Sequence, residues 1–513
     1  SSRHSAAAST GPPGRVTPPP AARTSSMLAA RLRRLASESL IYGLASMVQR
    51  FLSLFLTPVY TRILTPHDYG VMSLVTTTFV LVAAVASLSL EQAAIRWYYE
   101  ADDADGRRAT FATWLWTHLV VSGTLAAIMG VGAPWLSCAI FGDDALVPFL
   151  RLVAITIPCG VPPLVAATWL RVTERPRAAV TLSTGLSVLL IVITFVLVVG
   201  LDLQLHGIFL AQVVSGLVGA IAGLVMARDV APPRLYRRAR LRAMLAFSAP
   251  LIPAGIAVWL VSSADRYIVQ RFVSTADVGL FSIGSSLAVI TTLAVWAFQT
   301  AWSPFALRIR DEPDAERTYG MVFYLYCAGG AVWVSALSLY SLLAIRLLAT
   351  PVYDRATSVV GLMALAFLLS GLTSIVSIGF SIAKQMRPTA IIVVVSALTS
   401  VALGVALVPH LGIVGAATGT LVGQAMQPVL LLRRAQSVYF IPFPVVRGAA
   451  LLAVALVLVI AGEWLFPSVL TLPGFLVRTA CVVMLAVLGL RLSGLPLGRL
   501  TSIFRGLRVV NQP

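Results

Sequence analysis

The chain has 513 residues, of which 58% are hydrophobic and 11% are charged, whereas soluble domains carry about 25% charged residues. This composition excludes a soluble enzyme and provides apolar residues for roughly a dozen or more membrane spans. The net charge of +18 is almost entirely arginine, because Lys384 is the only lysine. The arginines form short clusters between apolar runs, which indicates topology signals and no nucleic-acid partner.

Residues 1–36 are expected to form a disordered, basic, cytoplasmic leader. The first 26 residues are rich in Ser, Ala, Pro and Arg and contain no acidic residue. They lack the apolar region of a secretory signal, and Met27 is an alternative natural start.

A hydropathy window of about 19 residues predicts an all-α integral membrane protein with about fourteen transmembrane helices. Thirty of the 38 basic residues fall in segments on one side of these spans. The positive-inside rule therefore places both termini in the cytoplasm. The predicted spans are 39–60, 71–91, 111–132, 147–170, 178–200, 207–227, 244–264, 278–303, 319–347, 358–382, 389–408, 412–432, 447–466 and 474–493.

The sequence contains an internal repeat. Residues 61–74 (TRILTPHDYGVMSL) align with residues 270–283 (QRFVSTADVGLFSI) at an offset of 209, and a second match after the fourth span of each copy has an offset of 212. The identical pairs of the first match are Arg62 with Arg271, Asp68 with Asp277, Gly70 with Gly279 and Ser73 with Ser282.

Each copy of the repeat holds six spans, so both copies have the same orientation in the membrane. Parallel repeats of this kind usually enclose a substrate site between them, which is transporter architecture. The predicted organisation is an N-lobe (37–240), a C-lobe (241–435), two further spans (436–495) and a cytoplasmic tail (496–513).

Charged residues inside the spans are candidates for function. Arg50 lies near the middle of the first span, where an arginine costs about 2.5 to 3.5 kcal/mol on translocon scales, and Gln49 adds a second polar group. Arg62, Arg266 and Arg271 lie near the outer span ends, where snorkelling could also satisfy them. Guanidinium groups that face a shared cavity would suit an anionic group such as phosphate.

Asp265, at the predicted end of span seven, is the first candidate for coupling to a cation, and Glu91 is the second. A carboxylate in a dehydrated cavity can carry a proton, although an ion pair between Asp265 and Arg266 is the simpler interpretation. Pro250 and Pro253 are expected to kink or interrupt span seven.

No nucleotide-driven chemistry is predicted, because Lys384 is not part of a phosphate-binding loop motif. The scattered cysteines and histidines predict no metal site. Secondary transport without an organic cofactor remains, with H⁺ or Na⁺ as a possible coupling ion.

Two segments carry a family resemblance. The opening SLIYGLASMVQRFLSLFLTPVYTRILTPHDYGVMSL and the later ADRYIVQRFVSTADVGLFSIGSSLA resemble bacterial oligosaccharide-lipid flippases of the Wzx type. These flippases belong to the multidrug/oligosaccharidyl-lipid/polysaccharide exporter superfamily. The likeness extends over about residues 37–490, and Phe281 stands where the family commonly has Tyr.

The resemblance implies a two-lobed inner-membrane protein whose central cavity opens alternately to each side. It would move a polyprenyl-diphosphate-linked oligosaccharide, of O-antigen, capsule or exopolysaccharide type, to the outer leaflet. Other polysaccharide assembly proteins would be its partners. Cavity arginines would contact the diphosphate, and polar side chains would bind the sugars. The implied arginines are Arg50, Arg62, Arg266 and Arg271, and the polar candidates are Gln49, Gln92, Gln270 and Gln299.

Three alternatives remain. A cation-coupled drug or metabolite antiporter would share the twelve-span core but is expected to have more acidic residues within its spans. A peptidoglycan lipid precursor flippase would also have fourteen spans and cavity arginines, and the loop motifs favour the polysaccharide branch over it. A membrane glycan polymerase or ligase would need a large outer loop, and no predicted loop between spans exceeds roughly 17 residues.

Overall fold

A computed structural model describes residues 56–142, 144–382, 387–466 and 468–492. Within these ranges the chain is helical, and no strand is present. We label the helices in chain order and begin with α1, whose described part covers residues 56–63. The others are α2 (Pro66–Ser87), α3 (Leu90–Glu100), α4 (Ala104–Val131), α5 (Ala133–Phe141), α6 (Val147–Cys159), α7 (Val161–Val172), α8 (Pro176–Phe195), α9 (Gln204–Met226), α10 (Arg238–Ser248), α11 (Leu251–Phe272), α12 (Thr275–Ala288), α13 (Ile290–Arg308), α14 (Ala315–Leu339), α15 (Ser341–Leu348), α16 (Thr357–Val376), α17 (Ile378–Ile382), α18 (Arg387–Leu411), α19 (Ile413–Ala435), α20 (Val445–Leu465) and α21 (Leu472–Leu492).

Eleven helical segments within the described ranges are long and apolar enough to cross a membrane. The prediction of a multi-pass helical membrane protein is therefore confirmed. Most of the predicted first span lies before residue 56, outside the described residues. Helices α11 and α19 are also long, but each holds several charged or amide side chains that lower its hydropathy. The count of fourteen spans stays a prediction.

Some spans that the sequence predicted as continuous are divided into two helices. The second span breaks between α2 and α3, where Leu88 and Ser89 have φ values of 47° and 52°. Two successive residues in the left-handed region cannot continue a right-handed helix. The fourth span breaks between α6 and α7, with Pro158 in the last turn of one helix and Pro162 in the first turn of the next.

The prediction for the seventh span was wrong in register. Residues 244–264 were expected to span, but α11 runs from Leu251 to Phe272. The predicted span is interrupted at Ala249 and Pro250, between α10 and α11, as expected. Pro253 lies in the first turn of α11, where a missing backbone N–H is tolerated, so it does not kink the helix interior. Asp265 therefore lies about two turns inside the helix instead of at its end.

The hydrophobic core is continuous across the lobes at one end of the molecule and divided at the other. One cluster joins α2, α6 and α9 of the N-lobe to α12, α16 and α19 of the C-lobe. At the other end, a second cluster contains only N-lobe and connecting residues, and a third contains only C-lobe residues and the segment that follows them. If the termini are cytoplasmic, as predicted, the joined end is the outer face.

Candidate functional site

Helices α2 and α12 meet between the lobes through a reciprocal pair of glycines. A Cβ atom added to Gly70 would lie 1.9 Å from the carbonyl oxygen of Thr275, and one added to Gly279 would lie 2.0 Å from the carbonyl oxygen of Pro66. Each glycine therefore contacts the residue that precedes the other glycine by four positions. This reciprocity is what a twofold relation between the repeats requires. Only glycine permits so close an approach of two backbones.

The same twofold relation extends to the side chains. Ser73 Oγ and Ser282 Oγ are 2.7 Å apart, and these residues are 209 positions apart in the sequence. The two helices also begin alike. Thr65 caps α2 and Ser274 caps α12, each by accepting a hydrogen bond from the backbone N–H of the aspartate three residues later. The internal repeat predicted from the sequence is thus visible as a symmetric contact.

Helix α11 extends the interface toward the middle of the membrane. Tyr267 Oη and Thr78 Oγ1 are 2.8 Å apart, and Trp259 Nε1 donates to the carbonyl oxygen of Thr77 at 3.3 Å. Both contacts join α11 of the C-lobe to α2 of the N-lobe. The sequence offered no signal for them, because the partners are not related by the repeat offset.

Loop contacts reinforce the joined end. Thr61 Oγ1 donates to the carbonyl oxygen of Leu348 at 2.7 Å, and the Tyr353 hydroxyl donates to the carbonyl oxygen of Leu64 at 2.8 Å. The Tyr353 ring also lies edge-on to the ring of Tyr69, with centroids 6.2 Å apart. These bonds connect the start of the N-lobe to the C-lobe across nearly 300 residues, which hydropathy cannot predict.

Of the predicted site arginines that the structure describes, Arg266 is the one whose side chain is largely buried. Its side chain is 19% exposed. Nη1 donates to the Ser262 carbonyl oxygen at 3.0 Å and to Asp265 Oδ1 at 3.2 Å, and the guanidinium lies 5.8 Å from the ring centroid of Phe281. The group is thus a partly enclosed cation between α11 and α12, next to the α2 contact.

Asp265 faces the interior of the C-lobe. Its side chain is 7% exposed, and Oδ1 also accepts the backbone N–H of Arg266 at 2.9 Å. It lines a small cavity of about 10 Å³ together with Ser400, Gly404 and Thr420, on α18 and α19. That volume is about enough for one water molecule, and hydroxyl groups border it.

The structure does not enclose Arg62 or Arg271. Arg62 is exposed in the last turn of α1, and Arg271 is exposed near the end of α11, with its guanidinium 6.0 Å from the ring centroid of Phe272. They remain repeat-related positions at the predicted outer face. Gln49 and Arg50 precede residue 56 and lie outside the described residues.

The remaining predicted positions differ in their surroundings. Gln270 Oε1 is buried without a hydrogen-bond partner in the described part of the chain, Gln299 is half-buried in α13, and Gln92 is exposed in α3. Glu91 lies in an ion pair, because Arg171 Nη2 donates to its Oε1 at 2.9 Å. That pair fastens α3 to α7 within the N-lobe. Across the four described ranges, no group of three or more potential metal-ligating side chains occurs.

Comparison with known proteins identifies similar sequences and folds. The family profile described as polysaccharide biosynthesis protein matches residues 35–309. The succinoglycan biosynthesis transport protein ExoT of Rhizobium meliloti (strain 1021) is 22% identical over 241 residues. That alignment covers 46% of this chain and 46% of the relative, so the chain spans about half the length of the curated relative it matches.

Solved transporter structures share the fold. The lipid II flippase MurJ in an inward closed conformation has a TM-score of 0.68 at 13% identity, covering 88% of this chain and 98% of its own. An inward-facing multidrug resistance MATE family transporter of the MOP superfamily has a TM-score of 0.64 at 16% identity. It covers 79% of this chain and 95% of its own. At these identities the likeness shows the fold alone.

Proposed function

Because the chain belongs to the polysaccharide biosynthesis protein family, we propose that it is a flippase for polyprenyl-diphosphate-linked oligosaccharides. It would move the lipid-linked repeat unit of a surface polysaccharide from the cytoplasmic to the outer leaflet of a bacterial inner membrane. The family match over residues 35–309 is the observation that carries the proposal. The transport role in the name of the succinoglycan relative agrees with it.

The arrangement of the lobes supports transport by alternating access. The reciprocal contact between α2 and α12 closes one end, and the separate cores leave the lobes unjoined by a hydrophobic cluster at the other end of the described structure. With the predicted topology, the unjoined end faces the cytoplasm, where the substrate is made. Transport would require the α2–α12 contact to open and the inner ends to close.

Arg266 supports the assignment of an anionic substrate group. Sugars and a diphosphate cannot cross hydrocarbon, because they would lose their hydration. A guanidinium that is 19% exposed between α11 and α12, next to the α2 contact, could contact phosphate oxygens on one side while Asp265 balances its charge on the other. We propose that Arg266 and Arg50 share this role, with Arg62 and Arg271 as weaker contacts near the outer face.

Translocation in proteoliposomes tests the proposal. The probe is a polyprenyl diphosphate that carries a fluorescent disaccharide, and its accessibility to an external reductant is followed over time. We expect transport in the parent and its loss in Arg50→Gln and Arg266→Gln, because a neutral amide cannot balance the diphosphate. Arg151→Gln is the matched control, since Arg151 is an exposed arginine of α6. Movement of a soluble cationic dye in place of the probe would favour the drug antiporter.

We further propose that Asp265 carries the coupling cation, a proton or sodium ion. Its burial and the hydroxyl-lined cavity beside it support this role, whereas Glu91 is bound to Arg171. In the same liposomes, an imposed proton or sodium gradient should accelerate the parent but not Asp265→Asn. Glu91→Gln should keep its response to the gradient. A parent that ignores both gradients would contradict the coupling while leaving the flippase assignment intact.

A peptidoglycan precursor flippase is the second candidate, and the fold of MurJ is the observation that favours it. Two probes distinguish the candidates: a diphosphate lipid with the peptidoglycan disaccharide-pentapeptide, and one with an oligosaccharide alone. Faster transport of the first probe would make the peptidoglycan precursor flippase the preferred function. The family profile favours the second probe.

A further inference from the structure

The segment that joins the lobes is unusually basic. Residues 227–250, which we call the connector, contain six arginines and one acidic residue, Asp229. Two loops expected on the same side of the membrane are instead net acidic. Residues 100–108 hold two arginines and four acidic residues, and residues 308–317 hold three arginines and four acidic residues. The connector therefore carries a net charge of +5, whereas these two loops carry −2 and −1.

The connector is fixed to the N-lobe and is not a loose linker. Trp116 Nε1 donates to the carbonyl oxygen of Ala231 at 3.0 Å, and the backbone N–H of Arg237 donates to Thr113 Oγ1 at 3.0 Å. Met244 of α10 is fully buried against the N-lobe. The backbone that carries the arginines is thus held in place by the N-lobe.

Five of the six arginines are exposed. Arg237 Nη1 donates to the carbonyl oxygens of Arg234 and Tyr236, and none of the five forms an ion pair with a carboxylate of the described structure. By contrast, the nearby Arg96 is paired with Glu100. The exposed arginines are Arg228, Arg234, Arg237, Arg238 and Arg242.

Helix α10 packs its apolar side against the N-lobe and leaves two arginines exposed on its other side. Its buried side contains Met244 and Ser248, with Leu241 and Leu245 half-buried beside them. Its outer side presents small alanines next to the exposed Arg238 and Arg242. Clustered arginines at the cytoplasmic surface of a membrane are attracted to anionic lipid headgroups.

We propose that the connector is a binding surface for anionic phospholipid headgroups of the cytoplasmic leaflet. The guanidinium groups pair with lipid phosphates, and phosphatidylglycerol or cardiolipin supplies the net negative charge that phosphatidylethanolamine lacks. The bound lipids lie against the cytoplasmic end of the N-lobe, beside the junction of the lobes. This inference does not depend on which molecule the protein transports.

Lipid retention in nanodiscs tests the proposal. The purified full-length protein is placed in nanodiscs with a threefold excess of phosphatidylethanolamine over phosphatidylglycerol, and the lipids that stay bound after release are identified by native mass spectrometry. We compare the parent with the fivefold variant R228Q/R234Q/R237Q/R238Q/R242Q and with the same five positions changed to lysine. The control variant is R308Q/R310Q/R317Q, which removes three arginines from the end of α13, the start of α14 and the loop between them.

The parent should retain phosphatidylglycerol preferentially, and more of it at low salt. Affinity should fall about fivefold for each arginine changed to glutamine. The lysine variant should keep most of the selectivity, because it keeps the charge, and the control should match the parent. Thermal unfolding of each purified variant verifies that it is folded. Equal retention of both lipids by the parent, or undiminished phosphatidylglycerol on a folded glutamine variant, would overturn the proposal.

Discussion

The C-lobe has Asp265 and Arg266 in α11, whereas the N-lobe has Leu56 and Thr57 at the positions 209 residues earlier. The helices α2 and α12, by contrast, have kept matching residues, and they contact each other through these identical or equivalent positions. The repeats therefore keep their symmetry where the lobes touch and lose it where charge is buried. The asymmetric positions are the better candidates for substrate and ion binding.

The repeats also differ at Arg50. At the same offset its C-lobe counterpart is Trp259, whose indole N–H donates to the Thr77 carbonyl oxygen of α2. The repeat thus pairs two different kinds of residue at this position of the sequence. We expect the N-lobe to supply the central arginine and the C-lobe to supply the paired charges and the cation site.

The largest expected effect follows from breaking the symmetric contact. Gly70→Ala and Gly279→Ala should each reduce transport to background, because the added Cβ would lie about 2 Å from a backbone oxygen that cannot move aside as a side chain can. Since the contacts are reciprocal, the two variants should behave alike. Transport in proteoliposomes measures the effect.

Gly123→Ala is the matched control, because a Cβ there meets nothing within 4 Å. It should keep parental transport. A cysteine pair at Ser73 and Ser282, in a background without native cysteines, reports closure directly. Its cross-linking should fall in both glycine variants, and a variant that still cross-links fully while transporting normally would refute the closing role of this contact.

A smaller effect is expected from making the C-lobe resemble the N-lobe. Asp265→Leu leaves Arg266 without its carboxylate and should cost about 3 kcal/mol of stability. The double change to Leu and Thr, as found at positions 56 and 57, removes both charges and should regain at least half of that loss. Thermal unfolding in detergent measures the difference. A double variant that is less stable than the single variant would show that the pair is not the source of the cost.

The smallest effect concerns the serine pair. Ser73→Ala and Ser282→Ala should each cost about 1 kcal/mol, because each removes one partner of the 2.7 Å hydrogen bond. The double variant should cost clearly less than the two single costs added together. Additive costs in a double-mutant cycle would mean that the hydroxyls act through separate partners.

Much of the fold was predictable from hydropathy and from the repeat. The repeat aligned Ser73 with Ser282, and the structure brings their hydroxyls into contact, because repeats related by a twofold axis bring equivalent residues together at that axis. The prediction that Asp265 lies at the end of span seven was wrong, because a hydropathy window ends a span at a pair of charged residues. The helix continues, since α18 and α19 bury the carboxylate.

Other features of the structure could not be predicted from the sequence. The bond from Tyr353 to Leu64 depends on how two distant loops meet, and the break at Leu88 has neither proline nor glycine to signal it. The surroundings of Arg266 likewise depend on tertiary packing. The sequence proposed the arginines as a set, and only packing separated the enclosed Arg266 from the exposed Arg62 and Arg271.

The self-matching contact between α2 and α12 also bears on how such a chain could originate. A surface on which a serine meets its own equivalent, and a glycine meets the carbonyl four residues before its own equivalent, has the isologous form of a twofold homodimer interface. A single six-helix ancestor could therefore have paired with a second copy of itself through this surface before gene duplication and fusion. Once fused, the halves were free to diverge, and a buried charge pair could arise in one half without its mirror image in the other.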